Sequence, residues 1–180
     1  MIVMRHAMLG ILSIIFLLMG LMSCSGPQQQ KETANPVDFQ EPLMEANRHA
    51  VKTESQHIED FLRRYQWDMT ETGSGLRYMI YKEGEGPKAL KGMTATLTYT
   101  LKLITGDVVY SSEELGPLQF QVGKGEVISG LEEAILLLKL GDEAKIIIPS
   151  HLAYGLVGDG DRIPGKATLI YDLKLLKLNN

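Results

Sequence analysis

Strict alternation of apolar and polar residues marks one stretch of the chain as a β-strand. In "MTATLTYTLKL", Met93 to Leu103, the odd positions are apolar and the even positions are Thr or Lys throughout. Because successive side chains of a strand point to opposite faces, this pattern predicts one buried face and one solvated face. The last stretch, "KATLIYDLKLLKL", repeats the alternation and predicts a second long strand, whose inward residues are Ala167, Leu169, Tyr171, Leu173 and Leu175.

Four shorter stretches are also predicted strands, since glycine, proline or charged residues bound each of them: "LRYMIYK", "VVYSS", "PLQFQV" and "EAKIIIP". The turn "TGD", Thr105 to Asp107, joins the first long strand to "VVYSS" as a hairpin. Strands outnumber helices, the connections are short and no βαβ repeat occurs. The sequence therefore predicts an α+β domain, with one antiparallel sheet packed on a helix.

That helix is predicted within "GKGEVISGLEEAI", where Ser129 and Glu132 have the spacing of a capping box. It should begin near Gly130 and end before Gly141. The segment is apolar almost all round after Glu133, so the sheet must curve around it. Val127 and Ile128 directly precede the helix. They form either a hydrophobic staple, which the local sequence favours, or the mouth of a pocket.

A second helix is predicted upstream, over residues 41–67. Val51, Ile58, Phe61, Leu62 and Tyr65 recur at helical spacing, and charged residues occupy the other side. Such a narrow apolar stripe fits a helix that packs on its own domain, which is the favoured interpretation. The alternative is a helix that pairs with a partner through residues 41–66.

The amino terminus has the pattern of an export signal. Arg5 precedes an apolar run from Ala7 to Met22, which is shorter than the ~20 residues of a membrane-spanning helix. The run ends in "LMSC", which resembles a bacterial lipobox. We therefore expect residues 1–23 to be a lipoprotein signal peptide and Cys24 to carry the lipid. We expect residues 24–40 to be a flexible tether, because the stretch from Ser25 to Pro36 is polar, poor in apolar residues and bounded by prolines.

Composition and missing motifs restrict the chemistry. The net charge of −4, without a basic block, argues against a nucleic-acid partner. A single cysteine and four unpaired histidines predict no disulfide and no metal site. Asp159 and Asp161 in "GDGDR" are interpreted as a solvated turn. No motif of a nucleophile, a phosphate loop or a metalloprotease is present. Any reaction here must proceed without a strong acid, a strong base, a metal or a cofactor.

The region from about Leu76 to Leu178 resembles FKBP-type peptidyl-prolyl cis-trans isomerases. It contains that family's G-x-x-x-V-I-x-G-x-E helix start, its "AYG" loop, its "IP" and its closing A-T-L-x-[FY]-D-x-x-L strand. The resemblance implies an FKBP-like curved antiparallel sheet around one short helix, formed by residues 70–180 and preceded by the extra N-terminal helix. With the lipobox and "GLRYMIYKEGEG", the chain is more narrowly similar to gliding-motility-associated isomerase lipoproteins of the Bacteroidota.

The resemblance also implies the site. The catalytic positions would be Tyr154, Ile128 and Tyr99, with the Ile128 N–H and the Tyr154 hydroxyl donating hydrogen bonds to substrate carbonyls. The substrate-binding positions would be Val109, Tyr110, Leu118, Phe120, Val127, Leu131, Ile163 and Tyr171. On this basis Val127 and Ile128 become the rim of a pocket. The expected substrates are X-Pro segments of exported client proteins, met at the outer membrane on its periplasmic side.

Leu131 stands where many family members have Trp and Leu118 where they often have Phe, and two further positions depart from the family pattern. Val109 and Tyr110 stand where the family usually has an aromatic residue followed by Asp, so an alignment without gaps removes the pocket carboxylate. If the alignment slips by one residue, Tyr110 instead supplies the aromatic wall. The missing carboxylate gives weight to an alternative function, a proline-peptide or protein-binding module with little catalytic activity.

Overall fold

The computed structural model describes residues 40–179, so the expected signal peptide, Cys24 and the tether lie outside the described residues. Helix α1 covers Gln40–Tyr65. Seven strands follow: β1 (Thr70–Glu71), β2 (Arg77–Lys82), β3 (Thr94–Leu103), β4 (Val108–Ser111), β5 (Leu118–Gln121), β6 (Glu143–Ile148) and β7 (Leu169–Asn179). Two further helices, α2 (Ser112–Leu115) and α3 (Ser129–Ile135), and a 3-10 helix (Ser150–Leu152) connect them.

The strands form one antiparallel sheet in the order β1-β2-β6-β7-β3-β4, and β5 pairs with the first half of β3. The long strands β3 and β7 pair along their whole lengths, with a register shift between Thr96 and Leu97. Such a bulge increases the local twist and helps a sheet to bend. The predicted α+β class and the curved antiparallel sheet are confirmed.

The concave face of the sheet holds the main core. Most inward residues of β3 and β7 are buried as the alternation predicts, while Tyr99 and Leu103 are half-buried, and α3 contributes Leu131, Ala134 and Ile135 to the same cluster. A Cβ atom at Gly130 would lie 2.3 Å from Cγ2 of Ile148. Only glycine at that position lets α3 approach β6 so closely.

The opposite face of the sheet is covered by α1. Ile58 and Leu62 are buried against Ile147 of β6 and Ile170 of β7, in a cluster separate from the main core. Arg77 of β2 is only 2 % exposed and attaches α1 to the sheet. It donates hydrogen bonds to Ser55 Oγ (2.9 Å) and to Glu59 Oε1 (3.0 Å) of the helix. The amphipathic upstream helix is therefore present, and its second half packs on its own sheet.

The predicted capping box is wrong. Ile128 is the N-cap of α3, so Ser129 lies inside the helix and its hydroxyl donates to Leu152 O instead. The Glu132 carboxylate reaches back to accept from the N–H groups of Gly123 (2.6 Å) and Gly125 (2.9 Å). It thereby shapes the loop before the helix and does not cap it.

Two element boundaries also differ from the predictions. Helix α3 ends at Ile135 and does not continue to Gly141, because the Leu138 N–H bonds to Ile135 O and turns Leu138 into the core. Strand β7 begins at Leu169 and not at Lys166, because Lys166 has a positive φ of 61° that a strand cannot contain.

Candidate active site

The predicted pocket residues come from several elements that meet at one end of the main core. Five of them are buried: Val109, Phe120, Leu131, Ile163 and Tyr171. Five others are half-buried at the margin of the same cluster: Tyr99, Tyr110, Leu118, Val127 and Ile128. Tyr154 lies on the segment between β6 and β7, residues 150–168, which we call the pocket loop. Its side chain is 37 % exposed.

Three tyrosine side chains face one another in this region. The rings of Tyr99 and Tyr171 lie 5.8 Å apart between centroids, at 42°. Burial raises the pKa of Tyr171, and the nearby Tyr154 and Tyr99 raise it further. Burial likewise raises the pKa of Tyr154, with Asp159 and Tyr99 adding to the effect. These phenols therefore stay protonated at neutral pH and can donate hydrogen bonds.

Ile128 offers a backbone donor at the start of α3. Its carbonyl accepts from the N–H groups of Leu131 (3.0 Å) and Glu132 (3.1 Å), as expected of an N-cap. Among residues 40–179, no oxygen accepts a hydrogen bond from the Ile128 N–H. This group is free to meet a carbonyl oxygen of a bound molecule.

The pocket loop is tied to β4 through a contact that sequence reasoning missed. The Tyr110 hydroxyl donates to Asp159 Oδ2 (2.5 Å), and Asp159 Oδ1 accepts from the N–H groups of Asp161 (2.9 Å) and Ile163 (2.8 Å). Desolvation alone would raise the pKa of Asp159, but the hydrogen bonds from Tyr110 and the backbone together lower it. The hydrogen bond to Asp159 is the main cause that raises the pKa of Tyr110, to about 12.

The interpretation of "GDGDR" as a solvated turn therefore fails for Asp159. An Asp that bonds to the backbone two residues on is a known turn signal, which could have revealed the local contacts. The partner on β4 lies far away in sequence, and no local pattern reveals it.

A second unpredicted contact holds the same loop. The Arg162 guanidinium binds both carboxylate oxygens of Glu114 in α2 (2.8 and 2.9 Å) and donates to Val109 O (2.9 Å). It also lies over the Tyr110 ring, 5.2 Å from the centroid. Arg162 and Tyr110 thus join the loop, β4 and α2 into one rim.

Val109 and Tyr110 have different surroundings on β4. Tyr110 pairs with Leu101 and Ser111 pairs with Thr100. Val109 is 6 % exposed within the main core, whereas Tyr110 is half-buried and reaches the pocket loop. Val109 therefore takes the buried place and Tyr110 takes the place at the pocket.

The predicted site residues are aromatic and aliphatic, and the charged side chains of Asp159, Arg162 and Glu114 lie at the rim. Within the part of the chain that the structure describes, no group of three or more His, Cys, Asp or Glu side chains could hold a metal ion.

Comparison with known proteins assigns the family. The family model described as FKBP-type peptidyl-prolyl cis-trans isomerase matches residues 86–176. The chain belongs to this family. A probable FKBP-type peptidyl-prolyl cis-trans isomerase of Neisseria meningitidis serogroup B, FkpA, is 45% identical over 59% of this chain. FK506-binding protein 2 of Yarrowia lipolytica is 46% identical over 59% of this chain and 74% of its own length.

Solved structures show the same fold. FkpA from Escherichia coli has a TM-score of 0.63 and 28% identity, covering 76% of this chain and 64% of that chain. A peptidyl-prolyl cis-trans isomerase from Pseudomonas syringae pv. tomato has a TM-score of 0.61 and 25% identity, covering 74% and 96%. The alignment spans 39% of the length of the Neisseria relative.

None of the helices in residues 40–179 is long and apolar enough to cross a membrane.

Proposed function

We propose that this protein is a peptidyl-prolyl cis-trans isomerase that acts on X-Pro segments of exported proteins. The observation that carries the proposal is the match of the isomerase family model to residues 86–176, where most of the predicted site residues pack in one apolar cluster. The cluster is mainly aromatic and aliphatic, and the Ile128 N–H at its margin donates to no oxygen among residues 40–179. Rotation about an amide breaks no bond, so such a site suits it.

The geometry suits the reaction in physical terms. The barrier to rotation about the peptide bond is about 18–20 kcal/mol, because the planar amide has partial double-bond character. The planar form is more dipolar than the twisted transition state, so dry walls such as Phe120, Leu131 and Tyr171 disfavour it relative to the twisted form. A barrier lowered by ~4 kcal/mol accelerates the reaction about a thousandfold.

The two donors would fix the substrate around the rotating bond. The Ile128 N–H would hold one substrate carbonyl in place, and the Tyr154 hydroxyl would donate to the carbonyl of the prolyl amide. Both donors are neutral, so they orient the peptide without exchanging protons with it. The aromatic side chains of Tyr99, Phe120 and Tyr171, on three strands, would enclose the proline ring.

An isomerisation assay with a proline-containing peptide tests the proposal on residues 39–180, which keep every described contact. Ile128→Pro removes the N–H at a residue whose φ of −57° already suits proline. Ile128→Ala is the matched control, because it trims the side chain and keeps the N–H. We expect catalysis by the parent, and a larger loss of kcat/KM in Ile128→Pro than in Ile128→Ala.

Absence of catalysis in the folded parent would favour the second candidate, a proline-peptide or protein-binding module. One observation supports that candidate. The Tyr110 hydroxyl is already engaged with Asp159, and in the alignment without gaps Tyr110 would stand in the place of the family's pocket carboxylate. A peptide that binds without accelerated isomerisation would decide for this function.

The proposal extends to the location of the protein. We infer a lipid anchor on Cys24 and a place on the outer membrane facing the periplasm, like the gliding-motility-associated lipoproteins that the chain resembles. Cys24→Ala should leave an unprocessed precursor without lipid label. Normal incorporation of radiolabelled lipid in that variant would contradict the anchor.

A partner for α1 belongs to the same proposal. The first half of the helix is exposed, including Leu43 (64%), Met44 (60%) and Val51 (44%). These residues continue the apolar stripe beyond the part that packs on the sheet, so they support contact with a partner helix. Cross-linking from a cysteine placed at Asn47, beside a control at Arg63, would detect that contact.

A further inference from the structure

One carboxylate of α1 holds both ends of the pocket loop. Glu54 Oε1 accepts from Ser150 N (2.7 Å) and from Thr168 Oγ1 (2.6 Å), and Oε2 accepts from Ser150 Oγ (2.8 Å). Ser150 is the first residue of the loop and Thr168 is the last. Hydrogen bonds to a charged acceptor are stronger than those between neutral groups. Glu54 therefore adds a side-chain link between the two stems of the loop, just beyond the point where Ile148 of β6 pairs with Leu169 of β7.

Backbone bonds carry this constraint to Tyr154. The Gly155 N–H donates to Ser150 O (2.8 Å), and the Lys166 N–H donates to Gly155 O (2.7 Å). Tyr154 lies directly beside Gly155, so its backbone belongs to the hydrogen-bonded base of the loop. A shift of Ser150 relative to Thr168 would change where the Tyr154 hydroxyl points.

The contact is distinct from the one that docks the helix. Arg77 binds Ser55 and Glu59 and fastens α1 to β2, and none of these three side chains bonds to the pocket loop among the described residues. Glu54 and Glu59 thus lie on the same helix and both accept hydrogen bonds across to the domain. Only Glu54 reaches the segment that carries the proposed catalytic tyrosine.

We propose that Glu54 is a positioning residue for the isomerase reaction, which sets the pocket loop and through it the Tyr154 hydroxyl. The inference rests on the proposed function, since it concerns the efficiency of the same site. It makes α1 part of the functional unit, although the helix packs on the face of the sheet opposite to the main core.

The test compares Glu54→Ala and Glu54→Gln with the matched controls Glu59→Ala and Glu59→Gln, in the full chain. Kinetics give kcat/KM, and hydrogen exchange gives the protection of the amides in the pocket loop. Glu54→Ala should lower kcat/KM by about two- to fivefold at most, since it acts through the Tyr154 hydroxyl and cannot cost more than the loss of that hydroxyl itself. Glu54→Gln keeps one acceptor oxygen and should lose less. Both Glu54 variants should exchange faster in residues 150–168, and the Glu59 variants should not.

A double-mutant cycle separates positioning from a general loss of stability. If Glu54 acts through Tyr154, Glu54→Ala should have a clearly smaller effect on kcat/KM in a Tyr154→Phe background. Fully additive effects would overturn the inference, as would equal losses in the Glu54 and Glu59 variants. An inactive parent would refute the proposed function instead, and loop exchange in the same variants would still decide whether Glu54 orders the loop.

Discussion

Replacing Tyr154 by phenylalanine removes a single hydroxyl from the pocket and leaves the ring in place. No side chain or backbone oxygen within residues 40–179 accepts a hydrogen bond from that hydroxyl. The change therefore leaves no protein group without its partner, and we expect the free energy of unfolding to stay the same. Whatever the variant loses in rate then belongs to the interaction with the substrate.

The size of the loss follows from the exposure of the side chain. A neutral hydrogen bond contributes about 0.5–1.5 kcal/mol, which corresponds to roughly two- to twelvefold in rate. Tyr154 is 37 % exposed, so water competes for its hydroxyl and the lower part of this range applies. We expect kcat/KM for a proline peptide to fall about two- to fivefold.

Tyr81→Phe is the matched control, because its hydroxyl bonds to Asp172 on the face of the sheet away from the pocket (2.7 Å). It should leave kcat/KM unchanged. Tyr154→Leu removes the ring together with the hydroxyl. We expect the further fall in kcat/KM from Tyr154→Phe to Tyr154→Leu to be smaller than the fall from the parent to Tyr154→Phe. An unchanged rate in Tyr154→Phe would remove this hydroxyl from the mechanism.

Three further predictions concern the rim, the pH profile and the helix. Macrolide inhibitors, which the family's pocket carboxylate binds, should bind about ten- to hundredfold more weakly here, and nanomolar binding would contradict this. Tyr110→Asp should restore that affinity only together with Asp159→Asn, because the new carboxylate would otherwise face Asp159. The rate should be flat from about pH 5 to pH 9, because the pocket tyrosines have raised pKa values and the pKa of Asp159 is lowered. Asp159 therefore stays charged until the pH falls below the usual range of an aspartate pKa, where the loop contact is lost. A bell-shaped profile would refute this. Deletion of residues 25–66 should leave a domain that unfolds cooperatively, because Ile58 and Leu62 belong to a separate cluster. Burial of each side chain stabilises the fold by only about 1.5–3 kcal/mol. Non-cooperative unfolding of the shortened protein would place the helix in the core.

The strands could be predicted because their signal is local. In β3 and β7 the alternation has a period of two, and burial on one face is the physical cause of that pattern. The hairpin turn at Gly106 is local in the same sense, since a φ of 102° favours glycine. The fold class followed from these elements without any knowledge of distant contacts.

The start of α3 shows where local signals mislead. Ser129 and Glu132 have the spacing of a capping box, but the box requires Ser129 to stand just outside the helix. Packing of Gly130 against Ile148 places Ser129 one residue inside. The hydroxyl then finds Leu152 O, and Glu132 is free to organise the preceding loop. The contact between α3 and β6 thus makes Ile128, and not Ser129, the N-cap of the helix.

The hydrogen bonds and ion pairs that hold the pocket loop could not be predicted from the sequence, for another reason. Tyr110 meets Asp159, Arg162 meets Glu114, and Glu54 meets Ser150, all across long separations in the chain. Each is a polar residue whose local context is compatible with a solvated surface. Their partners become visible only when the sheet has brought the elements together.

Helix α1 has both a local pattern that could be predicted and polar contacts that could not. Its apolar stripe predicted which side of the helix is buried, and Ile58 and Leu62 indeed lie against the sheet. The stripe could not indicate what the polar residues beside it would contact. Burial of the stripe fixes the rotation of the helix, and that rotation directs Glu54 to the pocket loop and Glu59 to Arg77. An element that hydrophobic burial attaches outside the main core can thus, through one carboxylate, influence the geometry of the site inside it.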